Sequence, residues 1–304
     1  MIRTLVESEE LTTLQAAATS ATGRAVNAGD EPRYLTLAAA TQVARAEPPP
    51  DRCPICDNDR QYVREGGQAW TTLAAMLGSY RNAVGEVEPG LTGIVTEPVF
   101  AIGQRAYLIR TQTGNVLWDC LSHIDDETVA AVSALGGLAA IAISHPHFQS
   151  ASVEWSQAFG GVPVYVHADN APWIVRPDPT IRFWEGETAI PLAGADLTLI
   201  RCGGHFPGIT VLHWPAGADG HGALLCDDTI CVGSDPPWVR FMYSYPNHIP
   251  LDAASVRRIV AAVESFAFDR LYSAWDGRLV QADAKAAVAR SAERYLARIG
   301  GPAA

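Results

Sequence analysis

The sequence predicts an α+β fold of four layers, αββα, with two sheets packed face to face and helices on both outer surfaces, preceded by a small N-terminal extension. Three observations carry this expectation. The run 138–143 (Leu-Ala-Ala-Ile-Ala-Ile) is apolar without interruption, the mark of a strand buried on both faces. Strand-like segments outnumber helical ones through the early part of the chain. Helical patterns then return at intervals, at 127–135, 151–159, 253–265 and 283–299, as segments that cover sheets do.

Taken in order, residues 1–46 are rich in Ala, Thr and Glu and form the extension, helical around 8–19 or partly disordered. Glu47-Pro48-Pro49-Pro50 is stiff punctuation. Residues 47–88 then hold a Cys53-Pro54-Ile55-Cys56 knuckle and a linker, with a short helix at 70–77. Residues 89–304 form the main domain. Its strands are expected at 106–110 and 115–120, joined by a turn at Thr113-Gly114, then at 138–143, 162–166, 197–200, 209–214, 223–226 and 270–272.

The chain has 304 residues, of which 48% are apolar and 18% charged, an ordinary globular composition. Its net charge of −11 repels phosphate backbones, so nucleic acid is not an expected partner. No apolar run reaches bilayer-spanning length, so no membrane partner is expected either. Glu7, Glu9 and Glu10 stand where a secretory signal carries positive charge, which makes the cytoplasm the expected location. There the six cysteines are expected as thiols, with Cys120 and Cys226 buried and inert. Assembly as a homodimer stays open.

Three short stretches carry chemistry. Ser144-His145-Pro146-His147 directly follows the buried run 138–143. Residues i and i+2 of an extended chain point to one side, so both imidazoles can face one point beyond the strand end. Pro146 fixes φ between them. Cys202-Gly203-Gly204-His205-Phe206-Pro207-Gly208 follows the strand ending near Ile200, and its glycines let the backbone bring His205 close to a ligand. The apolar segment 223–226 ends in Asp227 and Asp228. Each stretch alone has an ordinary reading as loop histidines or solvated carboxylates. Together they offer three imidazoles and a carboxylate.

In that order, HxH, GGHxPG and strand-Asp, the chain resembles the metallo-β-lactamase superfamily, which includes glyoxalase II, lactonases and persulfide dioxygenases. The likeness covers roughly residues 90–280, with Asn115 to Asp119 where that family has its early strand and Asp. The resemblance implies a first metal site made by His145, His147, His205 and Asp228. The family's HxHxDH motif is degenerate here: Gln149 replaces its Asp and Ser150 its last His. The late histidine is missing from Ser273-Ala274-Trp275-Asp276-Gly277, and Asp227 replaces the Gly that usually precedes the strand-Asp. The second site thus keeps only the bridging Asp, unless Asp276 contributes.

The expectation is one Zn²⁺ per catalytic site, with Fe²⁺ as the alternative, since both accept imidazole and carboxylate donors. The resemblance implies a mononuclear metal-dependent hydrolase of a small ester, thioester, lactone or similar small-molecule substrate. The alternatives are a non-haem Fe(II) oxygenase on the same fold and a catalytically silent binding protein. Asp228, Asp227 and Gln149 are the candidate catalytic residues. Gln149 can hydrogen-bond but cannot act as a base. The aromatic stretch 238–248 supplies Trp238, Tyr243 and Tyr245 as candidate substrate-binding residues, with packing of a long loop as the competing reading. Cys53 and Cys56 resemble half a zinc ribbon, and residues 1–52 contain no cysteine or histidine to complete it.

Overall fold

In the computed structural model the described residues are 50–63, 65–235 and 237–300, together with the backbone of 3–4 and 34–36. The helix expected at 8–19 lies outside them. Alternation along the strands divides the apolar side chains between layers, and two seven-stranded sheets result. The first contains β1 (Arg81–Glu88), β2 (Leu91–Glu97), β3 (Arg105–Ile109), β4 (Val116–Trp118), β5 (Ala140–Ala142), β6 (Val164–His167) and β7 (Ile181–Trp184) in sequential spatial order. β1 to β4 are antiparallel neighbours, and β4 to β7 are parallel. The second sheet runs from Arg3–Thr4 through β8 (Thr188–Ile190), β9 (Thr198–Arg201), β10 (Thr210–Trp214), β11 (Ala223–Leu225), β12 (Arg270–Tyr272) and β13 (Leu279–Val280).

Tyr107, Trp118, Trp184, Leu212, Leu225 and Tyr272 fill the space between the sheets. Their strand neighbours point the other way. Leu108, Leu117 and Ile141 meet α1 (Asp126–Ala134) and α2 (Ser152–Ala158) through Val129, Val132 and Trp155. On the opposite face Ile200, Val211, Leu224 and Leu271 meet α3 (Ala253–Glu264) and α4 (Ala284–Arg298) through Val256, Ile259 and Val288. The αββα sandwich expected from sequence is therefore the fold.

Several element bounds differ from expectation. The buried strand covers Ala140–Ala142 only, because the chain leaves the sheet at Ile143 to present the histidines. Residues 70–77 divide into a strand, Trp70–Thr72, and a single helical turn, Leu73–Met76, started by the β-branched pair Thr71-Thr72. The β1–β2 hairpin was not expected. β1 is largely exposed and carries Gly85, Glu86 and Glu88, so it shows no clean alternation. The sheet thus begins at Arg81, upstream of residue 89. Among the described residues no helix is long and apolar enough to cross a membrane.

Candidate metal centre

His145, His147, His205 and Asp228 meet at one edge of the sandwich, where β5, β9 and β11 end. All four are buried. Their ligand atoms lie within 4.8 Å of one another, close enough for one ion to be reached by all four. Asp228 Oδ2 is 3.1 Å from His145 Nε2, 3.7 Å from His205 Nε2 and 3.9 Å from His147 Nδ1.

Each loop is held in place. The HxH segment leaves β5 into a turn, Pro146–Phe148, and Ser144 O accepts from Thr210 N at the foot of β10, which ties two of the loops together. Gly203 and Gly204 have φ of +66° and +102° before His205, and a side chain at either would strike Arg258 or Leu251. At the far end of that loop Asn170 closes both bonds of Gly208, accepting from its N–H at 3.1 Å and donating to its carbonyl at 3.0 Å. Asp228 follows Asp227, whose φ of 43° lies in the left-handed region that favours glycine. The family's usual Gly at that position would cost nothing; this chain bears the strain and uses the side chain.

That side chain belongs to a buried carboxyl pair. Asp227 accepts from Trp118 Nε1 at 2.7 Å, and its Oδ1 is buried without a hydrogen-bond partner. Burial raises both carboxyls; the charge of Asp119 lifts Asp227 far above the usual range, whereas bonds from Asp227 and Ser144 restrain Asp119. Asp119 accepts from Ser144 N at 2.7 Å and from Ser144 Oγ at 2.8 Å. Since that hydroxyl hydrogen is committed to a carboxylate, Ser144 Oγ accepts from His145 Nδ1 at 2.8 Å.

This fixes the His145 tautomer and turns an unprotonated Nε2 toward Asp228. His205 is fixed in the same sense, because its Nδ1 donates to the carbonyl of Tyr243 at 2.8 Å, and a carbonyl can only accept. Two imidazole lone pairs and a carboxylate thus face one point, an arrangement that needs a cation or a proton between them. Burial, with the His145 and Arg60 charges, pushes His147 down to about 4, and burial takes His205 well below its ordinary value. Burial acts to raise Asp228, yet the histidines around it hold it well below the usual carboxylate range. Imidazoles that resist protonation, as His147 and His205 do, beside a carboxylate that also resists it are what a divalent ion binds in place of protons. Asp228 Oδ1 and His147 Nε2, both buried, have no hydrogen-bond partner. The donor set fits a metal ion.

Gln149, Ser150 and the 273–277 stretch do not join the cluster. Gln149 lines a cavity of about 10 Å³ beside Arg176, and its Nε2 is buried without a partner. Ser150 Oγ accepts from Gln104 Nε2 at 3.1 Å. In the late stretch Trp275 packs edge-on against Phe148 with centroids 6.1 Å apart. Asp276 points outward, 86% exposed and 2.5 Å from Arg105, so it does not join the cluster.

The three aromatic residues separate. Tyr245 lies beside the cluster, its ring 5.8 Å from that of His205 and its hydroxyl donating to Asp228 O at 3.0 Å. Tyr243 meets His205 through its carbonyl, and its hydroxyl donates to Asp59. Trp238 stacks under Arg294 and Arg290 of α4. His123 is fully buried and pairs with Asp125 at 2.9 Å. Cys120 and Cys226 are buried, and burial raises both thiols well above their ordinary value.

Sequence reading found the four donors because each sits at a strand end in a short recognisable pattern. It missed the Ser144 relay, whose only signal was a serine before HxH, and Arg60, which donates to His205 O across 145 residues.

The layered sheets and the edge on which the donors converge define a metallo-β-lactamase-fold protein. Solved structures agree on the fold: the DIM-1 metallo-β-lactamase matches 70% of this chain and 97% of its own at TM-score 0.52 and 11% identity. VMB-1 matches 72% and 98% at TM-score 0.53 and 10% identity. No protein-family model matches the chain. The chain belongs to the family of the uncharacterized protein YmaE of Bacillus subtilis, to which it is 46% identical over 267 residues, 87% of this chain and 96% of that one.

Proposed function

We propose that the protein is a mononuclear metal-dependent hydrolase of a small ester, thioester, lactone or similar substrate, with Zn²⁺ held by His145, His147, His205 and Asp228. The observation that carries this reading is the inward-facing donor set, with the tautomers of His145 and His205 fixed from outside. The ion supplies Lewis acidity, making water more acidic and a carbonyl more electrophilic.

The chain's own residues do the rest. Asp228 Oδ1 is buried and unpartnered, and accepts a hydrogen bond from the attacking water. Asp227 is tied to Trp118, and burial with the charge of Asp119 raises its carboxyl, so it supports the strand-Asp rather than acting as base. Gln149 orients and does not deprotonate. Tyr245 borders the substrate, and Tyr243 lies beyond it. A cytoplasmic location and a small-molecule partner belong to the same proposal.

Elemental analysis of protein purified without added metal tests it. One zinc per chain, together with hydrolysis of a panel of small esters, thioesters and lactones, is the expected result. Two ions bridged by Asp228 overturn the mononuclear assignment. Iron at one per chain with oxygen consumption and no hydrolysis overturns the hydrolase in favour of an oxygenase.

A further inference from the structure

The CxxC segment has no part in the function above, yet it lies against the His205 loop. Cys53, Ile55 and Cys56 are fully buried and pack with Val63, Trp70 and Trp173. The Trp173 ring in turn meets Phe206 edge-on at 5.0 Å. From this base the chain delivers Arg60, whose side chain is only 12% exposed. Its guanidinium lies 4.7 Å from the centroid of Phe206 and 4.2 Å from that of Tyr243. Nε donates to the carbonyl of His205, and Nη1 donates to Asn58 Oδ1 at 2.9 Å. Asp59 is 3.6 Å away as counter-ion.

Tyr243 is also the residue whose carbonyl receives the His205 Nδ1–H. Arg60 thus grips the backbone of a ligand and stacks on the residue that fixes that ligand's tautomer. The same two segments are bound again at their margins. Tyr243 Oη donates to Asp59 at 2.7 Å, Ser244 Oγ to Arg60 O at 3.1 Å, and Asn247 Nδ2 to the carbonyls of Asp59 and Gln61 at 3.1 Å each.

Charge alone argues against an arginine here, because a guanidinium beside three metal-binding imidazoles repels a cation. Its planar fork and its affinity for aromatic faces are what the site uses. Resting on the ligand set of the proposed function, we infer that Arg60 is a positioning residue for His205, clamping its loop between the Cys53–Gln61 knuckle and the Met242–Ser244 strand, and that the knuckle is therefore part of the metal centre.

The test compares Zn²⁺ affinity of the full chain and its variants by competition with a chromogenic chelator. The His205 Nδ1–H signal is read alongside by long-range ¹⁵N NMR. Arg60→Lys keeps the charge and loses the fork; Arg60→Ala loses both. The clamp predicts that both weaken binding by roughly 10–100-fold, the range for partners that orient a ligand from outside the coordination sphere. It also predicts that Lys does not rescue and that the Nδ1–H signal broadens. If Arg60 acts only as a charge, Arg60→Ala tightens Zn²⁺ and Arg60→Lys leaves it unchanged, which overturns the clamp. Should Arg60→Ala fail to fold, Tyr243→Phe, which cuts only the outer tie to Asp59, decides: a smaller loss of affinity supports the clamp, and wild-type affinity overturns it. A wild-type chain that binds no zinc is a separate result, seen before any variant is made, and it overturns the proposed ligand set and the clamp together.

Discussion

Ser144→Ala removes a single oxygen from the relay that joins Asp119 to His145, and its effect can be worked out before measurement. In the native chain Ser144 Oγ takes the Nδ1 proton of His145 at 2.8 Å and gives its own to Asp119 at 2.8 Å. Without it, Nδ1–H would be buried with no acceptor, at a cost of about 1–3 kcal/mol. The imidazole has an escape: the proton moves to Nε2, which lies 3.1 Å from Asp228 Oδ2 and can donate to it. The metal-free variant therefore avoids most of the penalty. Asp119 loses one of its two Ser144 bonds and keeps the other, from the backbone N–H at 2.7 Å. Metal binding must reverse the tautomer, because Nε2 is needed as a lone pair, and so the penalty falls on affinity. Zn²⁺ binding should weaken by roughly five- to 150-fold, while the urea midpoint of the metal-free protein moves far less. Competition with a chelator measures the first and equilibrium unfolding the second; long-range ¹⁵N spectra report the tautomer. Native affinity in Ser144→Ala, or an equal loss in both measurements, would refute the relay.

Gln149→Ala should retain one metal per chain and slow any hydrolysis by no more than roughly 10²–10⁴-fold, since Gln149 is outside the donor set; loss of the metal from a folded variant would make Gln149 a ligand. Arg270→Met should destabilise by about 3–5 kcal/mol, because it strands Glu88 in a site where that side chain is 9% exposed. The double variant with Glu88→Leu should recover much of this in urea titration, and equal losses would show that the pair is not coupled. Asp125 caps α1 through Thr128 N at 2.7 Å, so Asp125→Ala should cost about 1 kcal/mol at neutral pH. Burial acts to raise the Asp125 carboxyl, but the bonds from Thr128 and His123 leave it below its ordinary 3.8. The stabilisation is therefore full above about pH 4 and disappears as the pH falls through the folded value, where the unfolding curves of variant and wild type should converge. A difference that persists in acid would mean the carboxylate is not the capping species.

The fold was legible where strands are buried on both faces. The runs ending at Ile143, Ile200 and Cys226 lie in the centres of the sheets, and each delivers a ligand from its end. Reading failed at the edges. β1 is half exposed and has mixed composition, because an edge strand answers to solvent on one side and its pattern is weak. In the site the donors were visible and their supports were not. The bonds from Thr210 to Ser144, from Asn170 to Gly208 and from Arg60 to His205 join residues that share no local motif. Asp227 read as a strand-end carboxylate, and nothing local in the sequence signals its bond from Trp118, 109 residues away.

The contact between Trp275 and Phe148 has a consequence for how this protein can change. Phe148 is fully buried, so the contact is part of the core, and truncating a buried Phe costs about 3–5 kcal/mol, a large share of the total stability of an ordinary domain.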